Sequence, residues 1–513
     1  MFIQFRLKGY NWNMQRKLTL QELAARPFLI LAGLLPLAGC VENDPVITAE
    51  EVQPPDVVVF LVDTLRADWT GPGGFDKDTT PNLSSLAEQS VVFDQASSAA
   101  PWTLPSVVSL FTGKHMAEHN VVHDRLHMAD ATVTFPQLLQ EWGYQTVSFH
   151  RNPYAGGKWG LKRGFDQATL TQRQTGKPQL AEFFASITPM PFLLYVHNTE
   201  PHDPHVVRKK FMQSFDPVPA EFLKEYGELV DVYRRSTRED FVKKNPLGTT
   251  DNTELQEQWI RRLNRRKEEI QNLYSVSVRD ADDHLGSVIE ALKEEGRWEN
   301  TLFIMLADHG EELGDHGGWQ HDQSAYEELI HVPLIVRFPQ NEHAGQRIFQ
   351  PVSLVDVMPT ILEAVGCPLD QPPMSGRSLL PLIRGEGDSG MNMRVVSIRN
   401  NMKKYFKPYK EGRGDLNVVV RNGDMKAIFN VEPGTVELYD LKSDPGEAQD
   451  LAQVRNEEAD EFGRFAARSY AEMLKHSDHA QAGDLNEQSA EVLKALEALG
   501  YLGGESAPPD APK

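Results

Sequence analysis

Acidic and imidazole side chains stand directly behind apolar runs at two places in this chain. Asp63 follows Val57–Val62 (VVVFLV), and Asp308 and His309 follow Leu302–Leu306 (LFIML) in TLFIMLADHGEELGDHGG, 301–318. A carboxylate oxygen beside an imidazole nitrogen suits zinc, manganese or a similar divalent ion, whereas calcium and magnesium favour all-oxygen sites. Thr103 opens TLPSVVSLFTGK, a helix-like run with Pro105 in its first turn, where proline is tolerated. A hydroxyl there meets the backbone N–H groups and dipole that favour anions, and a metal would make it a competent nucleophile. His197, His202 and His205 come at the end of a third run, Phe192–Val196, and His321 shortly precedes a fourth, Pro333–Phe338. Imidazoles in a cleft stabilise an anionic transition state or protonate a leaving group, and His202 and His321 are the two candidates. His197, Arg66 and Lys114 are candidate contacts for an anionic substrate. Plainer readings stand beside these: Asp63 and Thr103 are both good helix caps, and any of the histidines can be structural. Glu311, Glu312, Asp315 and His316 crowd one stretch as loop charges would, and Asp315 and His316 are assigned to solvent.

Such residues need rigid elements to converge. Continuous apolar, β-branched runs mark strands covered on both faces, here at 57–62, Val147–Phe149, 192–196, 302–306 and 333–338. Helical stretches such as Thr134–Trp142 and Ser275–Glu295 separate them, which predicts a doubly wound, mostly parallel α/β sheet over 57–390. Function gathers at the carboxyl ends of strands in such sheets. Residues 206–272 are charged and helical in pattern with little apolar periodicity, so they read as an insertion. From Met391 to about residue 455 short alternating runs (Val418–Val420, Lys426–Asn430) predict a small antiparallel sheet. The rest, 456–513, reads as helices, including Leu493–Gly504, and a disordered proline-rich tail.

With 513 residues and a formal net charge of −21, the chain has ample core and no basic face for a nucleic acid. Nothing in it points to a protein partner. Pro27–Gly39 is an apolar run too short to cross a bilayer as a mature helix. It follows Arg16, Lys17 and Arg26 and ends in Leu-Ala-Gly before Cys40, the layout of a lipoprotein signal over residues 1–39. Residues 40–56 then read as a polar tether, and Cys367 is left without a partner.

Taken in order, these segments resemble the sulfatase family of the alkaline phosphatase superfamily. The resemblance lies in the strand ending at Asp63, the Thr80–Leu83 (TPNL) element and the Phe111–Gly113 turn behind the nucleophile motif. It continues through the histidine-bearing 191–205 strand and the Ala-Asp-His-Gly metal motif to ELYDLKSDPGEAQDLA, 437–452. It spans roughly residues 57–455 and implies an alkaline-phosphatase-like sheet. It also implies a divalent metal (calcium, manganese, zinc or magnesium) held by Asp63, Asp308, His309 and the oxygen of Thr103. One departure matters. Sulfatases carry Cys or Ser in C/S-x-P-x-R, converted to formylglycine, and here the motif reads Thr103-Leu104-Pro105-Ser106-Val107. Threonine cannot be oxidised to that aldehyde. Thr64 also stands where many sulfatases have a further acid. A threonine nucleophile resembles the phosphodiesterase and phosphoglycol-transferase branches instead.

The sequence therefore implies a hydrolase of phosphoric or sulfuric esters, acting on a small anionic ester or on a sulfated or phosphorylated glycan or lipid. The alternatives are a phosphoryl-group transferase, a true sulfuric ester hydrolase and an inactive glycan-binding module. The lipid anchor implies a bacterial envelope location, with Val41 directing it to the outer membrane. Replacing Cys40 by Ser should move the protein from the membrane to the soluble fraction, and unchanged fractionation would sink the anchor.

Overall fold

The computed structural model describes residues 54–172, 177–205, 208–236, 259–386, 392–400, 416–431, 433–478 and 481–482. The signal-like run, Cys40, most of the tether and the 493–504 segment lie outside the described residues. No described helix is long and apolar enough to cross a membrane.

Eight strands form the main sheet: β1 (Asp56–Val62), β2 (Val91–Phe93), β3 (Gln145–His150), β4 (Gln167–Leu170), β5 (Phe192–Asn198), β6 (Thr301–Ala307), β7 (Leu334–Arg337) and β8 (Gln346–Ile348). Their spatial order is β8-β2-β7-β6-β1-β5-β3-β4. All neighbours run parallel except β7, which is antiparallel to both β6 and β2. β1 is central, paired through Val59 with Tyr195 on one side and Ile304 on the other. Its residues Val57 to Val62 are at most 1 % exposed, as an unbroken β-branched run covered on both faces should be.

Two elements differ from the sequence expectation. The helix expected from Ser275 begins at Lys267 and runs to Glu294 (α3, with α1 and α2 given below). Ile270, Leu273 and Tyr274 continue the 3–4 spacing of Val278, Ala281 and Leu285 into the core, so the apolar stripe extends the helix backwards. The described part of the charged 206–272 stretch also packs into the core. Its helix α2 (Ala220–Ser236) buries Phe222, Tyr226 and Leu229 at i, i+4 and i+7, a stripe masked in the sequence by charged neighbours.

The small sheet is a plain antiparallel meander of β9 (Arg394–Asn400), β10 (Leu416–Asn422), β11 (Met425–Asn430) and β12 (Thr435–Asp440). Alternation gives it two apolar faces. Val418, Val420 and Leu438 meet Ala459, Phe462 and Ala466 of α4 (Asn456–Lys475). Val396, Val419, Ile428 and Tyr439 meet Tyr326, Leu329 and Ile330 of the large body. Beside that second interface Lys426 Nζ is buried between Glu327 Oε1 (2.8 Å) and Glu447 Oε1 (2.7 Å). Removing a buried cation so paired strands Glu447 and leaves Glu327 only Arg421 at 3.6 Å and a distant His331. Lys426→Met should therefore cost about 3–5 kcal/mol in denaturant unfolding, and a loss below about 1 kcal/mol would show that the cluster does not tie the sheet down.

Candidate active site

The ends of β1 and β6 bring the two expected acids together. Asp63 leaves β1 with its N–H on the Asn198 carbonyl (2.8 Å), so the carboxyl ends of β1 and β5 stay side by side. The next residue, Thr64, turns the chain sharply at φ 57°, a left-handed conformation in which a β-branched residue is strained. Its N–H donates to Asp308 Oδ1 (3.3 Å), and Tyr274 Oη donates to its carbonyl (2.6 Å). Strain held by such contacts is a common mark of a working site.

Thr103 is the first residue of α1 (Thr103–Thr112), and the cap position belongs to Trp102, so Thr103 is not a cap. Ser106, one turn into the helix, donates to the Asp308 carbonyl (2.7 Å) and locks the helix start onto the end of β6. Thr103 Oγ1 lies 3.3 Å from His309 Nε2 and accepts from Asn152 Nδ2 (3.3 Å). The same amide donates to Asp63 Oδ2 (3.0 Å). Asp63 is likewise no helix cap.

Asp63, Thr103, His197, Asp308 and His309 are at most 1 % exposed, so water screens little of their charge. Burial, and then the charge of Asp63, push the Asp308 carboxyl well above its usual range. Burial, and then His321, pull His309 down to about 3. Burial, and then Arg151, do the same to His197. Both imidazoles are thus neutral, the form that binds a metal.

The donors fit a divalent cation. Among the described residues, Asp63 Oδ1, Asp308 Oδ2 and both ring nitrogens of His197 are buried without a hydrogen-bond partner. Ligand atoms of Asp63, His197 and Asp308 lie within 4.8 Å of one another. His309 Nδ1–H donates to the Gly310 carbonyl (2.8 Å), which turns Nε2 toward Asp63 Oδ1 (3.4 Å) and Asp308 Oδ2 (3.7 Å). A backbone carbonyl on the far nitrogen is the usual way a ligating histidine is oriented. His197 Nε2 sits 3.5 Å from Asp63 Oδ2, so this residue, expected to touch substrate, stands with the carboxylates instead.

His202 and His321 face each other with ring centroids 5.0 Å apart, and His321 is 4.7 Å from the His309 ring. His202 Nδ1–H donates to the Asp203 carbonyl (2.6 Å) and His321 Nδ1–H to Glu311 Oε1 (3.0 Å). Glu311 is therefore no solvated loop charge but the buried support of His321. Asp315 pairs with Arg66 (2.7 Å), and His316 pairs with Glu328 (2.6 Å) while stacking on Tyr326, so these two are structural rather than solvated. Two expected substrate contacts are otherwise engaged. Arg66 is taken by Asp68 and Asp315, and Lys114, beyond the far end of α1 from Thr103, pairs with Asp478 (2.7 Å). His205 donates to the Pro201 carbonyl (2.9 Å) and stacks on Tyr226. Asn152 was not anticipated, although its place just behind β3 obeys the strand-end rule that found the others.

Comparisons with known proteins show what this chain is similar to. The sulfatase family model matches residues 55–367, and a model of the N-sulphoglucosamine sulphohydrolase C-terminal region matches 314–462. An N-acetylglucosamine-6-O-sulfatase of Bacteroides thetaiotaomicron is 24% identical, covering 86% of this chain and 90% of its own. A multifunctional alkaline phosphatase superfamily protein of Trinickia caryophylli is 28% identical over 77% and 91%. Among solved structures, the phosphonate monoester hydrolase of Agrobacterium radiobacter superposes with a TM-score of 0.61 at 19% identity, covering 83% of this chain and 97% of that one. A protein in complex with its substrate D-glucosamine-2-N,6-O-disulfate gives 0.62 at 20% identity over 82% and 99%.

If these donors hold a cation, supplying it at about 100 times its Kd should raise stability by about 2.7 kcal/mol. Asp308→Asn and His309→Ala should each remove that gain and the bound metal measured by elemental analysis. Stoichiometric metal retained in the double variant would refute the ligand set.

Proposed function

Because the chain belongs to the sulfatase family, whose members hydrolyse sulfate and phosphate esters, we propose that Thr103 is its nucleophile and that it prefers phosphoesters to sulfate esters. The observation that carries this reading is the place of Thr103 Oγ1, 3.3 Å from His309 Nε2 and joined through Asn152 to Asp63. A divalent cation held by Asp63, Asp308, His309 and the Thr103 oxygen would lower the hydroxyl's pKa and offset the charge on the ester. The mixed oxygen and nitrogen donors favour zinc or manganese over calcium or magnesium.

The chain's own residues then do the following. Asn152 fixes the hydroxyl beside Asp63. Oγ1 gives up its proton to solvent, attacks phosphorus and forms a new O–P bond as the bond to the leaving oxygen breaks. His321, with Glu311 behind it, protonates that oxygen, and His202 faces the same space. Water, giving a proton back to His321, then cleaves the threonyl ester, releases the phosphate and restores the hydroxyl. A sulfatase's hydrated aldehyde expels sulfate by collapse of a hemiacetal, a route closed to threonine. Direct attack of water on a phosphorylated intermediate is the easier step. Relatives described as a multifunctional alkaline phosphatase superfamily protein and a phosphonate monoester hydrolase favour the phosphoester. The relative described as an N-acetylglucosamine-6-O-sulfatase, and the structure in complex with D-glucosamine-2-N,6-O-disulfate as its substrate, support a sulfated glycan as substrate. An envelope location through a lipidated Cys40 belongs to the same proposal.

A panel of nitrophenyl phosphate, phosphodiester, phosphonate and sulfate esters tests it. Phosphoester turnover should exceed sulfate turnover. Thr103→Ala should fall to background with the fold intact, and Thr103→Ser should keep a measurable part. Efficient sulfate hydrolysis with negligible phosphoester activity, or full activity in Thr103→Ala, would overturn the reading.

A further inference from the structure

His321 is gripped from several directions. Its ring is held by Glu311 through Nδ1, with the tautomer assigned from that contact. On its amino side, Gln320 pairs with Glu312 in a two-residue ladder and donates from Nε2 to Asp203 Oδ2 (3.0 Å). On its carboxyl side, the Asp322 N–H donates to the carbonyl of Pro101, two residues before Thr103 (3.0 Å). The Asp322 carbonyl accepts from Arg399 Nε (2.9 Å). Both flanking residues are strained, Gln320 at φ 72° and Asp322 at φ 75°. Non-glycine residues hold such a backbone only where their surroundings over-determine it.

Arg399 is not part of the large sheet. It lies on β9 of the small one, opposite Asn417 on β10, which is opposite Asn430 on β11. Arg399 Nη1 donates to Asn417 Oδ1 (2.7 Å), and Asn417 Nδ2 donates to Asn430 Oδ1 (2.7 Å). All three are 2–3 % exposed. A buried polar row across three strands is costlier than an apolar one unless every group is bonded. What this row achieves is a guanidinium fixed against one carbonyl, and that carbonyl belongs to the residue after His321.

The geometry points to Arg399 as a positioning residue of ester hydrolysis, which sets through Asp322 where His321 delivers its proton to the leaving oxygen. The small C-terminal sheet is then a brace of the active site. This inference rests on the reading of His321 as the leaving-group acid, and Arg399 itself touches no reacting atom.

The test uses two esters of whichever acid group the enzyme prefers, one with an alkyl leaving group and one with 2,4-dinitrophenoxide, which departs without a proton. In Arg399→Lys, kcat for the alkyl ester should fall about 100-fold, the lower end of what general acid catalysis supplies, and that for the dinitrophenyl ester by no more than about threefold. KM for both should stay within about twofold. Asp322→Gly relieves the left-handed strain and keeps both backbone contacts. In this variant too the alkyl ester should suffer the larger loss. Equal losses on both esters in Arg399→Lys, or a loss of stability alone, overturn the inference. His321→Ala separates the two levels. If that variant is selective for the alkyl ester and Arg399→Lys is not, the positioning role fails and the acid stands. If His321→Ala is not selective, the acid assignment fails and the inference falls with it.

Discussion

Two carboxylates emerge at the same level from neighbouring parallel strands, one strand spacing apart and sealed from water. Val62 and Ala307 are the last paired residues of β1 and β6, and Asp63 and Asp308 are the next in each chain. Burial first, and then the repulsion of like charges so placed, push the Asp308 carboxyl upward. The surroundings answer that repulsion piece by piece. Asn152 gives one amide to Asp63, the Thr64 and His309 N–H groups give theirs to Asp308, and two neutral imidazoles turn toward the pair. A cation would complete the answer. The site is in this sense the solution of an electrostatic problem created by the sheet.

The place of Thr103 follows from the same pair. Ser106 ties the start of α1 to the Asp308 carbonyl, and Thr103 then has little freedom except to stand beside His309. The helix N-terminus adds its own preference for an anion. The sharp turn at Thr64 keeps the chain after β1 close to Asp308, and Tyr274 of α3 holds that turn from behind. Long helix, strained turn and short helix thus serve a single cluster of atoms.

The small sheet extends this logic to the other side of the cleft. Its apolar face and the buried Lys426 dock it on the segment 326–330, only a few residues after His321. Its polar row reaches Asp322, the residue after His321, through Arg399. An element that looks peripheral in the chain is thereby continuous, through Asp322, with His321.

The local features of the sequence were sufficient for the scaffold. Unbroken β-branched runs marked the strands, alternation marked the small sheet, and the rule that function sits at strand ends selected Asp63, Asp308, His309 and His197. These signals are readable because periodicity and burial of both strand faces are properties of a few consecutive residues. Partnership is not such a property. Nothing near Arg66 or Lys114 in the chain says that Asp315 or Asp478 will claim them, and nothing near Glu311 says that it will be buried under His321. The move of His197 from substrate contact to partner of Asp63, and the bridging amide of Asn152, likewise depend on segments about 90 to 130 residues away in sequence. The chain by itself determined which residues stand at the ends of strands. Only the tertiary structure decided which charges meet there, because a charge is assigned its role by whatever neutralises it.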